Sequence, residues 1–151
     1  MKSDSQLPII GMDIAKNVFQ LHIVDGETRK IQRRQLKRAK VAEFFINRQA
    51  SLVAFEACGG AHHWARTLQA MGHQVKLLPA KRVRAFVLRD KTDALVAQAI
   101  WVAAQQPRIR EVPVKSKQQQ ACLSLHRSNA SWARSWPRWS GTSSASNWWP
   151  A

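Results

Sequence analysis

The stretch PIIGMDIAKNVFQLHIVDGETRKIQRRQL, Pro8 to Leu36, decides the fold. Its first part, PIIGMD, is a short apolar run carrying an Ile pair, and Val18 to Val24 (VFQLHIV) is rich in β-branched and aromatic residues. Both read as strands. Asp25-Gly26 is a strong hairpin signal and predicts that Thr28 to Leu36 folds back antiparallel. That third segment has little apolar content and suits a sheet edge, where Arg and Lys discourage unwanted pairing.

Downstream, Lys37 to Arg48 reads as a helix with Val41, Phe44 and Phe45 on one stripe. Ser51 to Phe55 is a compact buried strand ending at Glu56. After Gly59-Gly60, the helical spacing of Ala61, Trp64, Ala65, Leu68 and Met71 predicts a second helix, with Gly72 at the C-cap. Val75 to Leu78 is a fifth strand closed by Pro79, and a short basic helix follows from Lys81 to Leu88. A longer helix from Thr92 to Ala104 turns Leu95, Val96, Ala99, Ile100 and Ala103 to one side. The order β-β-β-α-β-α-β-α predicts an α/β fold, a mixed sheet flanked by helices. It matches the ribonuclease H-like (RuvC-like) architecture, an analogy of fold that does not alone license function.

With 151 residues the chain is about one domain long. Twenty-four Lys and Arg against nine Asp and Glu leave a net charge of +15. A surplus that large is self-repelling unless a polyanion neutralises it, so nucleic acid is the leading partner and an anionic membrane surface the weaker one. No window of about 18 consecutive apolar residues exists, so no membrane span is expected. The N-terminus lacks a signal-peptide layout, and Cys58 and Cys122 show neither a disulfide framework nor zinc-ligand spacing. A cytoplasmic protein is expected. No dinucleotide fingerprint, Walker loop or nucleophile elbow occurs.

All nine acids lie at or before Glu111. The last 24 residues hold seven Ser and five of the seven Trp, with no Leu, Ile, Val, Phe or Met. Without aliphatic side chains this tail cannot interdigitate into a core. Stacking of single-stranded bases on its Trp and Arg residues is one reading; translation out of frame, giving a disordered or irregular tail, is the favoured one.

Asp13 closes the first strand, Glu56 closes the fourth, and Asp93 opens the last helix. If strands one and four are neighbours, Asp13 and Glu56 sit side by side, and the helix start can bring Asp93 alongside. Clustered carboxylates repel, and a hard divalent cation relieves the repulsion. Two such ions can activate a water and stabilise a leaving oxygen in phosphodiester displacement. Singly, each acid also suits a cap or a helix N-terminus; the three together favour the metal site. Arg29, Lys30, Arg33, Arg34, Lys37, Arg38 and Lys40 place seven positive charges in twelve residues, a pattern that tracks a phosphate backbone. A second set, Lys76, Lys81, Arg82, Arg84, Arg89 and Lys91, leads towards Asp93 and suits contacts near the scissile phosphate. His62 and His63 are expected to face solvent or cap a helix, and Cys58 to be a small buried residue.

IIGMDIAKNVFQLHIVD, VAFEACGG, VKLLPAKRVRAFV and KTDALVAQAI together resemble the amino-terminal half of DEDD transposases of bacterial insertion sequences, the insertion-sequence-110 family related to the Piv and MooV invertases. The resemblance covers about residues 7 to 127 and includes Lys16 within the G-x-D-x-[AS]-K motif. It implies a RuvC-like domain whose four acids bind Mg²⁺ (or Mn²⁺) and cleave DNA. Asp13, Glu56 and Asp93 match the first three acids, as catalytic and metal-binding residues; the fourth position is Val96, which cannot ligate a cation. It also implies DNA, an element-encoded guide RNA and homo-oligomers as partners. The longer family members carry a further domain with a nucleophilic serine.

On this comparison residues 1–111 are the RuvC-like domain, 112–127 a linker into a missing carboxy-terminal region, and 128–151 an out-of-frame, unstructured tail. The expected function is that of a truncated transposase whose Mg²⁺-dependent strand cleavage is impaired. The alternative is a non-catalytic nucleic-acid-binding module, or an inhibitor that forms mixed oligomers with an intact transposase.

Overall fold

A computed structural model of the chain describes residues 7–87 and 92–135, the last eight of these as backbone alone. The chain divides into two compact units, Met1–Lys117 and Gln118–Ala151. In the first, strands β1 (Ile9–Ile14), β2 (Val18–Val24), β3 (Ile31–Lys37), β4 (Leu52–Glu56) and β5 (Gln74–Leu78) form one sheet in the order β3-β2-β1-β4-β5. β1, β2 and β3 are antiparallel neighbours, whereas β4 joins β1, and β5 joins β4, in parallel. This is the expected mixed sheet, and it is consistent with a ribonuclease H-like fold.

Period-two alternation sends the two sets of side chains to opposite faces. On one face Ile10 and Met12 of β1, Phe19, Leu21 and Ile23 of β2, and Val53 and Phe55 of β4 enter a single core. Helices α1 (Val41–Ile46) and α2 (Ala61–Ala70) cover it with Val41, Phe45, Trp64, Ala65 and Leu68. Phe19, Phe45 and Phe55 are fully buried, each worth about 1.5–3 kcal/mol of burial. Gly72 follows α2 at φ +89°, the left-handed position that ends a helix.

The other face carries a smaller core of Ala54, Leu78, Val83, Ile100, Ala103 and Ala104. It is built by α3 (Ala80–Val83) with the 3-10 turn Arg84–Phe86 after it, and by α4 (Asp93–Ala104). Small side chains along α4 bring its backbone onto the sheet. A Cβ on Gly11 of β1 would lie 2.2 Å from the Ala97 carbonyl oxygen and 2.7 Å from the Trp101 nitrogen. Glycine is required there by contact with a helix backbone.

Three local expectations shift. The hairpin after β2 is longer than a two-residue turn: Asp25 Oδ1 accepts from the Glu27 and Thr28 amides, and the Asp25 amide donates to the Lys30 carbonyl. Arg29 takes the positive φ of 55°, so β3 begins at Ile31 and not Thr28. The first helix shortens to Val41–Ile46 behind a 3-10 turn, Arg38–Lys40. α5 runs Lys117–Ser135, beginning on the last residue of the first unit. A lack of aliphatic residues denies residues 128–135 a core, but Ala, Ser, Arg, Asn and Trp all tolerate helical backbone, and Pro137 lies beyond it. Residues 136–151 fall outside the described residues. Among the described residues no helix is long and apolar enough to cross a membrane.

Candidate functional site

Parallel pairing of β1 with β4 runs from Ile9 with Leu52 to Met12 with Phe55. Asp13 and Glu56 are the next residues in that register, and the alternation turns both to the face that holds α4. Asp93 is the first residue of α4, behind Thr92 as N-cap. Asp13 and Glu56 are half-buried and Asp93 is exposed. The Asp13 carboxyl is pushed above the ordinary carboxylate range, first by burial, then by the charges of Asp93 and Glu56, against a backbone hydrogen bond at Ile14. Of the three acids predicted to form a group, Asp13 thus feels the charges of the other two.

Their fit to a divalent cation has two sides. By chemistry they fit: three hard oxygen donors repel one another, and no salt bridge among the described residues neutralises any of them. By geometry, no three His, Cys, Asp or Glu side chains among the described residues are gathered closely enough to hold a metal ion. Val96 is half-buried against the smaller core, three residues after Asp93.

The basic residues separate into free and engaged groups. Lys16, Arg29, Lys30, Arg34, Lys37, Lys81, Arg82 and Arg84 are exposed. Arg33 is exposed as well and donates to Gln98 of α4 at 3.3 Å. Arg38, exposed at the start of its 3-10 turn, has its guanidinium 5.8 Å from the centre of the Phe19 ring and 5.7 Å from that of Trp64. Lys40 is ion-paired with Glu43 at 2.6 Å, so the expected run of seven unpaired charges loses a member. Lys76 is turned away from any phosphate: its ammonium donates to the Ala104 carbonyl at the end of α4 and lies 3.7 Å from Glu111. Arg89 and Lys91 lie outside the described residues.

Two further expectations are corrected. Cys58 is exposed, because it follows β4 in the turn before α2, where no layer covers it. His62 is buried, and its Nδ1 accepts the Lys115 amide at 3.2 Å, while Arg66 donates to the Lys115 carbonyl. His63 beside it is exposed. Burial, then the charges of Lys115 and Arg66, hold the His62 imidazole below its ordinary 6.5. His22, buried beneath Trp101, is lowered by burial and then by Arg33. A histidine with a depressed folded value favours the unfolded chain once protons bind, so stability is full above pH 6.5 and is lost as pH falls below it. Unfolding midpoints in urea should therefore drop between about pH 7.5 and 5.5. His62→Asn, which keeps an acceptor for Lys115, should flatten part of that drop; a midpoint unchanged with pH in the unaltered chain overturns the assignment.

Gly11 is the functional residue the sequence reading passed over. The signal was present, since a glycine inside an apolar strand marks a close backbone approach. Through that contact Gly11 lets the backbone of α4 lie directly on β1.

A family model for DEDD transposases of the IS110 type, described as a transposase, matches residues 10–142. The chain belongs to this family. It is 52% identical over 118 residues to a probable family 20 transposase of Pseudomonas aeruginosa, covering 78% of this chain and 35% of that protein. It is 36% identical over 119 residues to a transposase for insertion sequence element IS1328 of Yersinia enterocolitica, covering 79% and 36%. A transposase for insertion sequence element IS1111A of Coxiella burnetii is 39% identical over 124 residues, covering 82% and 34%. The chain spans about a third of the length of the curated relatives it matches. The DEDD transposase family suggests use of a divalent metal; here Asp13 and Glu56 close neighbouring strands and Asp93 opens α4 on the same side of the sheet.

Proposed function

We propose that this chain provides the acidic, RuvC-like half of a transposase. In this reading it binds DNA in the bacterial cytoplasm, and Asp13, Glu56 and Asp93 hold Mg²⁺ or Mn²⁺ beside the scissile phosphate. The observation that carries the reading is the parallel register that brings Asp13 and Glu56 to neighbouring strand ends, where burial and then the charges of Asp93 and Glu56 raise the Asp13 carboxyl and no salt bridge among the described residues pairs with it. When bound, the metal supplies Lewis-acid activation of the attacking oxygen and charge stabilisation of the leaving one.

The chain's own residues do the rest. Asp13 and Glu56 present oxygens from adjacent strand ends, and Asp93 presents one from the start of α4. Exposed cations bind the phosphate backbone: Lys16 on the turn after β1, Arg29, Lys30, Arg33, Arg34, Lys37 and Arg38 around β3, and Lys81, Arg82 and Arg84 ahead of α4; Lys91, outside the described residues, joins the set by its charge alone. Such contacts hold the strand in place and carry no sequence information. An element-encoded RNA and oligomers, with like chains or an intact transposase, belong to the same reading.

Nicking of supercoiled plasmid in Mg²⁺ or Mn²⁺ tests it. The expected result is slow, metal-dependent nicking that disappears in Asp13→Ala; nicking untouched by that substitution overturns the assignment.

Val96 favours a second reading, in which the domain binds nucleic acid without cutting it. An apolar side chain at the fourth position removes one oxygen donor from the set. Affinity that falls steeply with salt, with no cleavage in any metal, distinguishes this reading from the first.

A further inference from the structure

The α4 face of the sheet carries side chains in rows that run across the strands. One row reads Arg33, His22, Gly11, Ala54 and Lys76. It lies beneath α4: Gly11 meets the helix backbone, His22 packs against Trp101, and Lys76 reaches the last carbonyl of the helix. The next row reads Gln35, Gln20 and Asp13, and continues in register to Glu56. Gln35 is exposed and Gln20 half-buried, and neither amide has a hydrogen-bond partner among the described residues.

We propose that Gln20 and Gln35 form a neutral track that binds the DNA strand leading to Asp13 from the β3 edge. The proposal rests on the transposase reading above and adds two contact residues to it.

Three arguments support the track. A Lys or Arg at position 20 would pair with Asp13 and compete with a metal for its oxygens. An amide can donate to a phosphate or base edge while leaving the carboxylate charged. Gln35 also stands between Arg33 and Lys37 on the same face of β3, so two cations flank the outer end of the row. Finally, three strand spacings of about 4.8 Å make the row about 14 Å long, the length of about four stacked nucleotides at ~3.4 Å each. The opposite face of β3 has another fate: Leu36 packs on the larger core, so Gln32, on that side beside Arg34, is the comparison position, reporting any strand that Arg34 holds against the other face.

The test uses the full chain with p-benzoylphenylalanine placed at Gln35 or at Gln32, both exposed, and a fluorescein-labelled single-stranded DNA oligonucleotide. Ultraviolet crosslinking is expected from position 35 and only weakly from position 32. The double variant Gln20→Leu, Gln35→Leu should bind the oligonucleotide about tenfold more weakly, the effect of about two hydrogen bonds. Its slope of affinity against salt should be unchanged, because amides release no counterions. Its circular dichroism melt should match that of the unaltered chain, which separates lost contact from lost fold.

Equal crosslinking from positions 32 and 35, or unchanged affinity in the double variant, overturns the track and leaves the transposase reading standing. Crosslinking confined to an RNA oligonucleotide of the same sequence overturns the choice of DNA. A chain that binds no oligonucleotide even at low salt overturns both readings together.

Discussion

Gly11→Ala is expected to lower the unfolding midpoint by roughly 10 °C, for a loss of about 3 kcal/mol. The added methyl would meet the Ala97 carbonyl oxygen at 2.2 Å and the Trp101 nitrogen at 2.7 Å. Both are backbone atoms of α4, so no side chain can rotate to make room. The helix must move off β1, and its movement loosens the contacts of Ile100 and Ala103 in the smaller core. Asp93 moves with it, so the same variant should respond less to Mn²⁺ than the unaltered chain. Thermal unfolding followed by circular dichroism, with and without Mn²⁺, measures both effects. A midpoint within a degree or two of the original overturns the close-approach argument.

Val96→Asp is expected to raise Mn²⁺ affinity by about tenfold or more, since affinity for hard cations follows the number of charged oxygen ligands. Positions three apart share a helix face, so an acid there stands one turn beyond Asp93. Without metal the substitution should destabilise the fold by about 1–3 kcal/mol, because Val96 packs against the smaller core and a carboxylate at that spot is poorly solvated. With metal the loss should be recovered, and the unfolding midpoint should rise with Mn²⁺ concentration. Calorimetric titration decides the outcome. Val96→Asn separates polarity from charge, and adding Asp13→Ala should cancel the gain. Affinity no higher in Val96→Asp than in the unaltered chain would refute the placement of position 96 beside the acid group.

Much of the fold was legible because strand and helix periods act locally. VFQLHIV alternates between the two faces of β2, and Trp64, Ala65 and Leu68 recur at helical spacing on α2; each pattern needs only its own segment to be read. The errors came where a partner distant in sequence decides. Asp25-Gly26 has the composition of a tight turn, yet the Asp25 side chain caps a wider loop and passes the positive φ to Arg29. Cys58 has the composition of a core residue, but its turn lies outside both cores. His62 stands at a helix start, where solvent was expected, and is covered by Lys115 from 53 residues away.

The candidate site divides along the same line. The sequence by itself determined which acids stand at strand and helix ends, since these follow from residue identity and local period; only resemblance to the family points to Val96 as the fourth position. Only the tertiary structure decided which cations remain available to a phosphate. Lys37, Lys40 and Lys76 look alike in the sequence, yet the first is exposed, the second is ion-paired and the third caps α4. Tertiary contact also decided that Gly11 governs the approach of α4. The physical reason is that a side chain's charge or size is a local property, whereas its freedom depends on what another part of the chain places against it.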